Sequence, residues 1–211
     1  MSADRNRAVA LFPQVSRETW ERLDQFAVLL AKWQKAINLV SPKTLDEMWT
    51  RHIADSLQIV DLVPGSAEIL VDLGSGGGFP GLVIAAALAD RPGFRAHLIE
   101  SDQRKCAFLR EVARTMGVPV EVHNMRIEAA LSEWPHGADV VTARALAPIK
   151  ELLFLAAPLL KAGTLGIFPK GQDVESELTE ATKYWTISAK IIPSRTDEKA
   201  GIVVVSELSP R

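Results

Sequence analysis

Cysteine is nearly missing from this chain of 211 residues, where Cys106 stands alone. A lone thiol excludes an intramolecular disulfide and a cysteine-rich zinc site, and no metal is expected. It also agrees with a reducing, cytoplasmic compartment. No apolar run reaches the length of a membrane-spanning helix; the nearest, Leu152 to Leu160, is too short. The start, Met1-Ser2-Ala3-Asp4-Arg5, has no apolar core of signal-peptide type. Charge of one sign is missing too: the formal net charge is -2. A protein relying on nonspecific nucleic-acid binding is usually basic, so an RNA substrate would have to be drawn by a local patch. On charge alone, a small-molecule enzyme fits better. No repeat, low-complexity stretch or long heptad pattern occurs, so no obligate protein partner is expected.

What is present suits one α/β domain with a modest extension. Hydrophobic residues make up 47% and charged residues 24%, enough for a core that needs no staple. The first sixty or so residues read as helical. Ser16 is placed to cap a helix carrying Trp20, Leu23, Phe26, Ala27, Leu30 and Ala31 at helical spacing. Pro42 ends that region. A second helical piece is expected from Thr44 to Val60, with a break near Arg51-His52, and Pro64-Gly65 closes the extension. Strands are then expected at 69–73, 95–99, 119–123, 138–142, 164–168, 186–192 and 201–207. Helices are expected at 80–89, 103–116, 126–133, 148–160 and 173–183. Strand–helix alternation implies right-handed crossovers and a parallel sheet. The last two strands lack an intervening helix, so the final strand should run antiparallel to its neighbours.

The most informative stretch runs from Ile69 to Gly81, where a buried strand leads into five glycines, at 74, 76, 77, 78 and 81. Glycine there lets the backbone turn sharply and approach a ligand, and open α/β sheets bind ligands at that edge. Gly76, Gly78 and Gly81 match the dinucleotide pattern GxGxxG, but start late relative to the strand. Asp72 separates the readings better. A carboxylate at the strand end repels a pyrophosphate and suits a cationic ligand with an amino group, such as S-adenosylmethionine, directly or by orienting water and loop amides.

Glu100, closing the second strand, is placed to take ribose hydroxyls of an adenosine cofactor, or to cap the helix that follows. Asn124-Met125-Arg126-Ile127-Glu128 follows the third strand, where a polar group or backbone amide meets an adenine edge; an exposed helix start is the alternative. Arg144 follows the fourth strand, facing the reacting end of a ligand, with an ordinary surface arginine as the bland reading. Arg126 and Arg144 are candidates for orienting the substrate or the cofactor carboxylate. Lys170, ending the fifth strand, is a candidate for RNA phosphate or a solvent-facing lysine. Lys32, Lys35, Lys43, Arg51 and His52 form one basic set, and Arg104, Lys105, Arg110 and Arg114 another. Trp20, Trp33 and Trp49 read as core rather than as base-stacking platforms. His52 and Asp55 read as a hydrogen-bonded pair holding the extension on the sheet. Cys106 reads as a packing residue on its helix, not a nucleophile.

Several strings together resemble the RsmG (GidB) family of bacterial 16S ribosomal RNA guanine-N7 methyltransferases. They are Asp72-Leu73-Gly74-Ser75-Gly76-Gly77-Gly78-Phe79-Pro80-Gly81, Glu100-Ser101, Arg126-Ile127-Glu128, Thr142-Ala143-Arg144-Ala145, Lys170-Gly171, Asn38-Leu39 and Arg51-His52-Ile53-Ala54-Asp55-Ser56-Leu57. The resemblance spans nearly the whole chain. Gly77 stands where some members carry proline, and His123-Asn124-Met125 is a second small departure. The resemblance implies a class I methyltransferase fold, Rossmann-like, with a mostly parallel seven-stranded sheet. A helical extension (1–65) would pack on a core (66–211). It implies S-adenosylmethionine as methyl donor and 16S ribosomal RNA of the small subunit, near the decoding region, as substrate. Cofactor contacts carry over to Gly74, Phe79, Ile127, Glu128 and Arg144, supported by Asp72, Gly76, Gly78 and Glu100. Arg51, His52 and Lys170 are RNA-binding candidates. Attack by guanine N7, which bears no proton, needs no general base. The competing readings are a methyltransferase for a small molecule or protein, and an NAD-dependent oxidoreductase.

Overall fold

Residues 2–211 are described by a computed structural model. Alternation along each central strand sorts its side chains onto two faces. Leu70, Ala96, Leu98, Val140 and Ile167 face one apolar cluster, while Val71, Leu73, Ile99, Val141 and Phe168 face another. Strands apolar on both faces belong inside a sheet covered on both sides. The sheet has seven strands: β1 (Ile69–Leu73), β2 (Arg95–Glu100), β3 (Val120–Asn124), β4 (Val140–Thr142), β5 (Leu165–Lys170), β6 (Trp185–Pro193) and β7 (Gly201–Pro210). Their order is β3-β2-β1-β4-β5-β7-β6. The first five pair in parallel, and β7 runs antiparallel to both β5 and β6. The expected antiparallel last strand is therefore present, inserted between its neighbours rather than at the edge.

The extension forms α1 (Ala3–Leu11) and α2 (Arg17–Trp33). Ser16 caps α2, accepting from the Thr19 amide at 3.1 Å. Leu23, Phe26 and Leu30 of α2 are fully buried in one cluster with Phe79, Leu82 and Phe108 of the glycine loop and the helices behind it. Each such side chain contributes roughly 1.5–3 kcal/mol as an upper estimate, so the extension shares its core with the sheet. Trp20 and Trp49 are buried, with the Arg5 guanidinium 5.7 and 5.2 Å from their rings. Trp33 is half-buried and donates to Glu111 at 3.0 Å. These tryptophans tie the extension together rather than offering stacking platforms.

The expected helix from 44 to 60 is a series of short pieces. Pro42–Thr44 is a 3₁₀ turn, Trp49–Ala54 is wound as a π helix, α3 covers only Asp55–Leu57, and Val60–Leu62 is again 3₁₀. The π winding falls on Arg51-His52, where a break was expected. The remaining helices are α4 (Gly81–Ala87), α5 (Gln103–Met116), α6 (Ile127–Ser132), α7 (Ile149–Leu160) and α8 (Val174–Ala181). α5 shows why its ends fall where they do. Asp102 accepts from the Arg104 and Lys105 amides, and Gly117 closes the helix in the left-handed region at φ 65°. Cys106 lies buried on α5, its thiol donating to the Glu100 carbonyl at 3.2 Å. Among the described residues no helix is long and apolar enough to cross a membrane.

Candidate active site

The C-terminal ends of β1, β2, β3 and β4 open onto a cavity of about 450 Å³. Gly74, Gly76, Phe79, Glu100, Arg126, Ile127, Glu128 and Arg144 all line it. Eight residues from four loops thus meet where the sequence placed a cofactor. Gly74 and Gly76 adopt φ 65° and 52°, a region costly for any residue with a Cβ. The nearest atom to a Cβ built on Gly76 is the Gly74 carbonyl oxygen at 3.7 Å, so this backbone faces open space. Glu100 is buried and held from both sides. Its Oε2 accepts from the Gly76 amide at 2.9 Å and its Oε1 from the Asp102 amide at 2.8 Å. Each oxygen keeps a lone pair for a ligand hydroxyl.

Two residues expected to contact a cofactor do not line this cavity. Asp72 is fully buried beneath the loop. It sits on the same sheet face as Leu70, and Gly81 lets the first turn of α4 lie against it. A Cβ at Gly81 would come within 2.8 Å of Asp72 Oδ2. Thr142, opposite it in register, donates to Oδ1 at 2.7 Å, and Oδ2 has no hydrogen bond of good geometry. Burial pushes the Asp72 carboxyl up to about 6, against Thr142 and the Arg144 charge, which lower it. Gly78 also points inward: a Cβ there would meet Leu82 Cδ1 at 2.4 Å. Gly78 and Gly81 therefore serve loop–helix packing, and the GxGxxG spacing does not line up as a dinucleotide cradle.

A second cavity, about 530 Å³, adjoins the first and shares Leu39, Arg144 and Ala145 with it. Arg51, His52, Asp55 and Lys170 line it, with Ser194 and Thr196 from the β6–β7 connection. Arg144 stands in the common wall. It donates to His52 Nδ1 at 2.9 Å, to the Arg51 carbonyl at 3.2 Å and to Asp55 Oδ2 at 3.4 Å, and it lies 4.9 Å from the Phe79 ring centre. The Arg51-His52-Ile53-Ala54-Asp55 string is thus a clamp on one guanidinium. His52 and Asp55 were expected to bond each other; each bonds Arg144 instead, because a cation between them satisfies both.

The chemistry of this clamp fixes the His52 tautomer. Arg144 can only donate, so His52 Nδ1 must accept and the ring carries its proton on Nε2. Nε2 then donates to Thr44 Oγ1 at 2.8 Å, and Thr44 passes its own hydrogen to the Ser41 carbonyl at 2.9 Å. Burial, with Arg144 and Arg51 close by, pushes His52 down to about 3. Asp55 is equally occupied: its Oδ1 accepts from Gln58 at 2.8 Å and from Thr196 at 2.9 Å. Lys170 is paired with Glu177 at 2.8 Å and donates to the Ala147 carbonyl at 3.0 Å, with 13% of its side chain exposed. It lines the second cavity as a braced cation, not a solvent-facing one. Ala145, directly after Arg144, sits at φ 53°, a strain of about 1–2 kcal/mol for a residue with a Cβ. Leu39 and Thr142, from the Asn38-Leu39 and Thr142-Ala143-Arg144-Ala145 strings, and Thr44 and Thr196 complete these contacts. Thr44 and Thr196 carry no local signal; only pairing across the fold brings them here.

Comparison with known proteins finds relatives over nearly the whole chain. Residues 19–201 match the family described as GidB, rRNA small subunit methyltransferase G. A relative named ribosomal RNA small subunit methyltransferase G from Bradyrhizobium sp. strain BTAi1 is 54% identical over 97% of this chain and 91% of its own length. One of the same name from Parvibaculum lavamentivorans is 54% identical over 92% of this chain and 85% of its own. Among solved structures, MtNAS in complex with S-adenosylmethionine is similar at TM-score 0.57 and 14% identity, covering 96% of this chain and 76% of that one. An rRNA methylase from Streptococcus thermophilus is similar at TM-score 0.52 and 13% identity, over 75% and 98%. The fold is that of the class I methyltransferases.

Proposed function

Since the chain belongs to the rRNA small subunit methyltransferase G family, we propose that it methylates N7 of a guanine in 16S ribosomal RNA, near the decoding region, with S-adenosylmethionine as donor. The observation that carries this reading is the pair of adjoining cavities with Arg144 in their shared wall. One cavity takes the donor and the other the target nucleotide.

The residues of the first cavity fit that donor. Glu100, held by two amides, is placed to accept the ribose hydroxyls. The open backbone of Gly76 admits the amino-acid end of the donor, with Gly74 beside it under the Leu146 side chain, and Ile127 and Glu128 border the adenine side. Asp72 acts from below: it anchors Thr142 and the start of α4, which fixes the loop's shape. The bound donor supplies an electrophilic methyl on a sulfonium.

Guanine N7 has a free lone pair and no proton, so the protein must align the reactants and exclude water rather than remove a proton. The second cavity suits that task. His52 presents its basic nitrogen to Arg144, and Asp55 spends its oxygens on Arg144, Gln58 and Thr196. Neither is left to act as a base. The product base is cationic, so Arg144 serves by holding phosphate, O6 or the donor carboxylate with the N–H groups its bonds through Nη1 and Nη2 leave over, not by contacting N7. Arg51, exposed at the rim, is the RNA-phosphate candidate retained from the first set, since His52 and Lys170 already have partners.

The experiment is incubation with methyl-labelled S-adenosylmethionine and either 30S subunits or naked 16S RNA lacking the modification. Label recovered as N7-methylguanosine supports the proposal. Its absence with both substrates, from folded protein, overturns it.

A further inference from the structure

Three of the chain's four histidines gather at the β3 edge of the sheet, and none of them lines either cavity. We propose that His97, His123 and Glu121 form a binding site for a divalent transition-metal ion of the zinc type, with His136 available as a fourth ligand.

Register brings the ligands together. β2 and β3 pair in parallel with His97 opposite Glu121 and Ile99 opposite His123, so all three side chains leave the same face of the sheet. His97 Nδ1 lies 3.0 Å from His123 Nε2. Each nitrogen lies 3.8 Å from a different oxygen of Glu121. Metal bonds of about 2.0–2.1 Å at tetrahedral angles leave ligand atoms roughly 3.3 Å apart. The two nitrogens are slightly closer than that and the carboxylate oxygens wider, all the donors lying within 4.8 Å of one another, so closing on an ion takes a swing of the half-exposed Glu121 side chain toward the two rings. His136 stacks on His97 at 5.2 Å and 16°, bringing a further imidazole from the loop before β4.

The surroundings suit a borderline ion rather than a hard one. Imidazole nitrogens with a single carboxylate select zinc-like metals over calcium or magnesium. His97 is 3% exposed while Glu121 is 51% exposed, so an ion would sit with one side toward solvent. Trp134 packs at steep angles, 71–89°, against the rings of His97, His123 and His136 and donates to the Gly137 carbonyl at 2.7 Å, which pins the loop carrying His136. Arg95 and Arg110 are the opposing cations near the cluster. One neutral ring donates the hydrogen now shared between His97 and His123. On binding, that hydrogen moves to the far nitrogen of its own ring, leaving both near nitrogens as acceptors. The ion would clip the sheet's edge strand to β2 and to the loop before β4.

The test is titration of untagged full-length protein with ZnCl2 against a chromophoric chelator. The expected result is one ion per chain, with affinity lowered at least about tenfold by His123→Gln and by Glu121→Gln. CuCl2 should quench fluorescence from Trp134, and Trp134→Phe should remove that quench. Glu121 is half exposed, so its variant keeps the fold even if the histidine variant does not; circular dichroism checks both. Absence of zinc binding to folded protein overturns the proposal. So does zinc bound equally by wild type and both variants, which would be an adventitious ion only.

Discussion

The loop after β3 and the loop after β4 each bring an arginine to the same cavity, and the two are held in opposite ways. Arg144 is 16% exposed, bonded to His52, Asp55 and the Arg51 carbonyl, and stacked on Phe79. Arg126 is exposed at the N-terminal end of α6, its side chain with no hydrogen-bond or ion-pair partner among the described residues. One charge has traded water for a fixed protein cage; the other keeps its water and its freedom. A caged arginine sets geometry. A free one answers to whatever anion arrives, and its contribution is screened by salt. The same residue type at the ends of adjacent connections thus does different work because of what surrounds it.

The largest expected effect comes from emptying the cage. Arg144→Ala leaves the half-buried Asp55 and His52 with a partner missing, and should cost up to about 3–5 kcal/mol of stability and most of the activity. Chemical denaturation and single-turnover methylation measure the two. Arg144→Lys keeps the charge but loses the fork that reaches three acceptors, and should fall between the two forms.

The next effect reads the cage through protons. His52 titrates at about 3 in the folded protein, well below its ordinary value. The unfolded chain therefore takes up a proton first as pH falls, so this group's stability is present above about 6.5 and lost on the way down to 3. His52→Gln cannot titrate and should flatten the acid limb by roughly 2–4 kcal/mol at pH 3. The variant-minus-wild-type difference isolates His52 from His97, which burial also lowers, to about 4. Asp72 acts with the opposite sign: its carboxyl, raised to about 6, weakens the fold as pH rises from about 4 to 6.

Arg126→Ala supplies the contrast. It should leave stability within about 0.5 kcal/mol of wild type. If the arginine meets a phosphate, KM for RNA should rise about tenfold and the salt dependence should lose about one unit of slope. A stability loss like that of Arg144→Ala would erase the comparison. The smallest effect is expected from Ala145→Gly, which relieves the left-handed strain beside Arg144 by about 1 kcal/mol or less. It should raise Tm slightly and lower kcat, because the loop that aims the guanidinium is loosened.

How much of this was legible from residues follows the range of the interactions. The strands, the order of the helices and the antiparallel last strand rest on periodicity and punctuation along short windows, and those were readable. So were the cavity-lining Gly74, Gly76, Glu100, Arg126 and Arg144, from their position at strand ends, whereas Phe79, Ile127 and Glu128 were singled out by the family resemblance. Asp72 was legible as important but not as buried, since the parity of its face shows only once α4 packs on it. The His52–Arg144–Asp55 arrangement joins residues about ninety positions apart, and no local pattern encodes that. The helix expected from 44 to 60 failed for a related reason: tertiary partners such as Asp4, which accepts from the Trp49 amide and the Thr50 hydroxyl, hold that stretch in short turns.

The central claim is that the wall between the cavities holds a positioning arginine and no working base. The most direct test is the single-turnover rate of methyl transfer to saturating substrate RNA as a function of pH from 6.5 to 8.5. The account predicts a flat profile, because N7 carries no proton and His52 stays neutral throughout. A rate climbing about tenfold per pH unit through that range would reveal a group that must lose a proton for the reaction, and would contradict it.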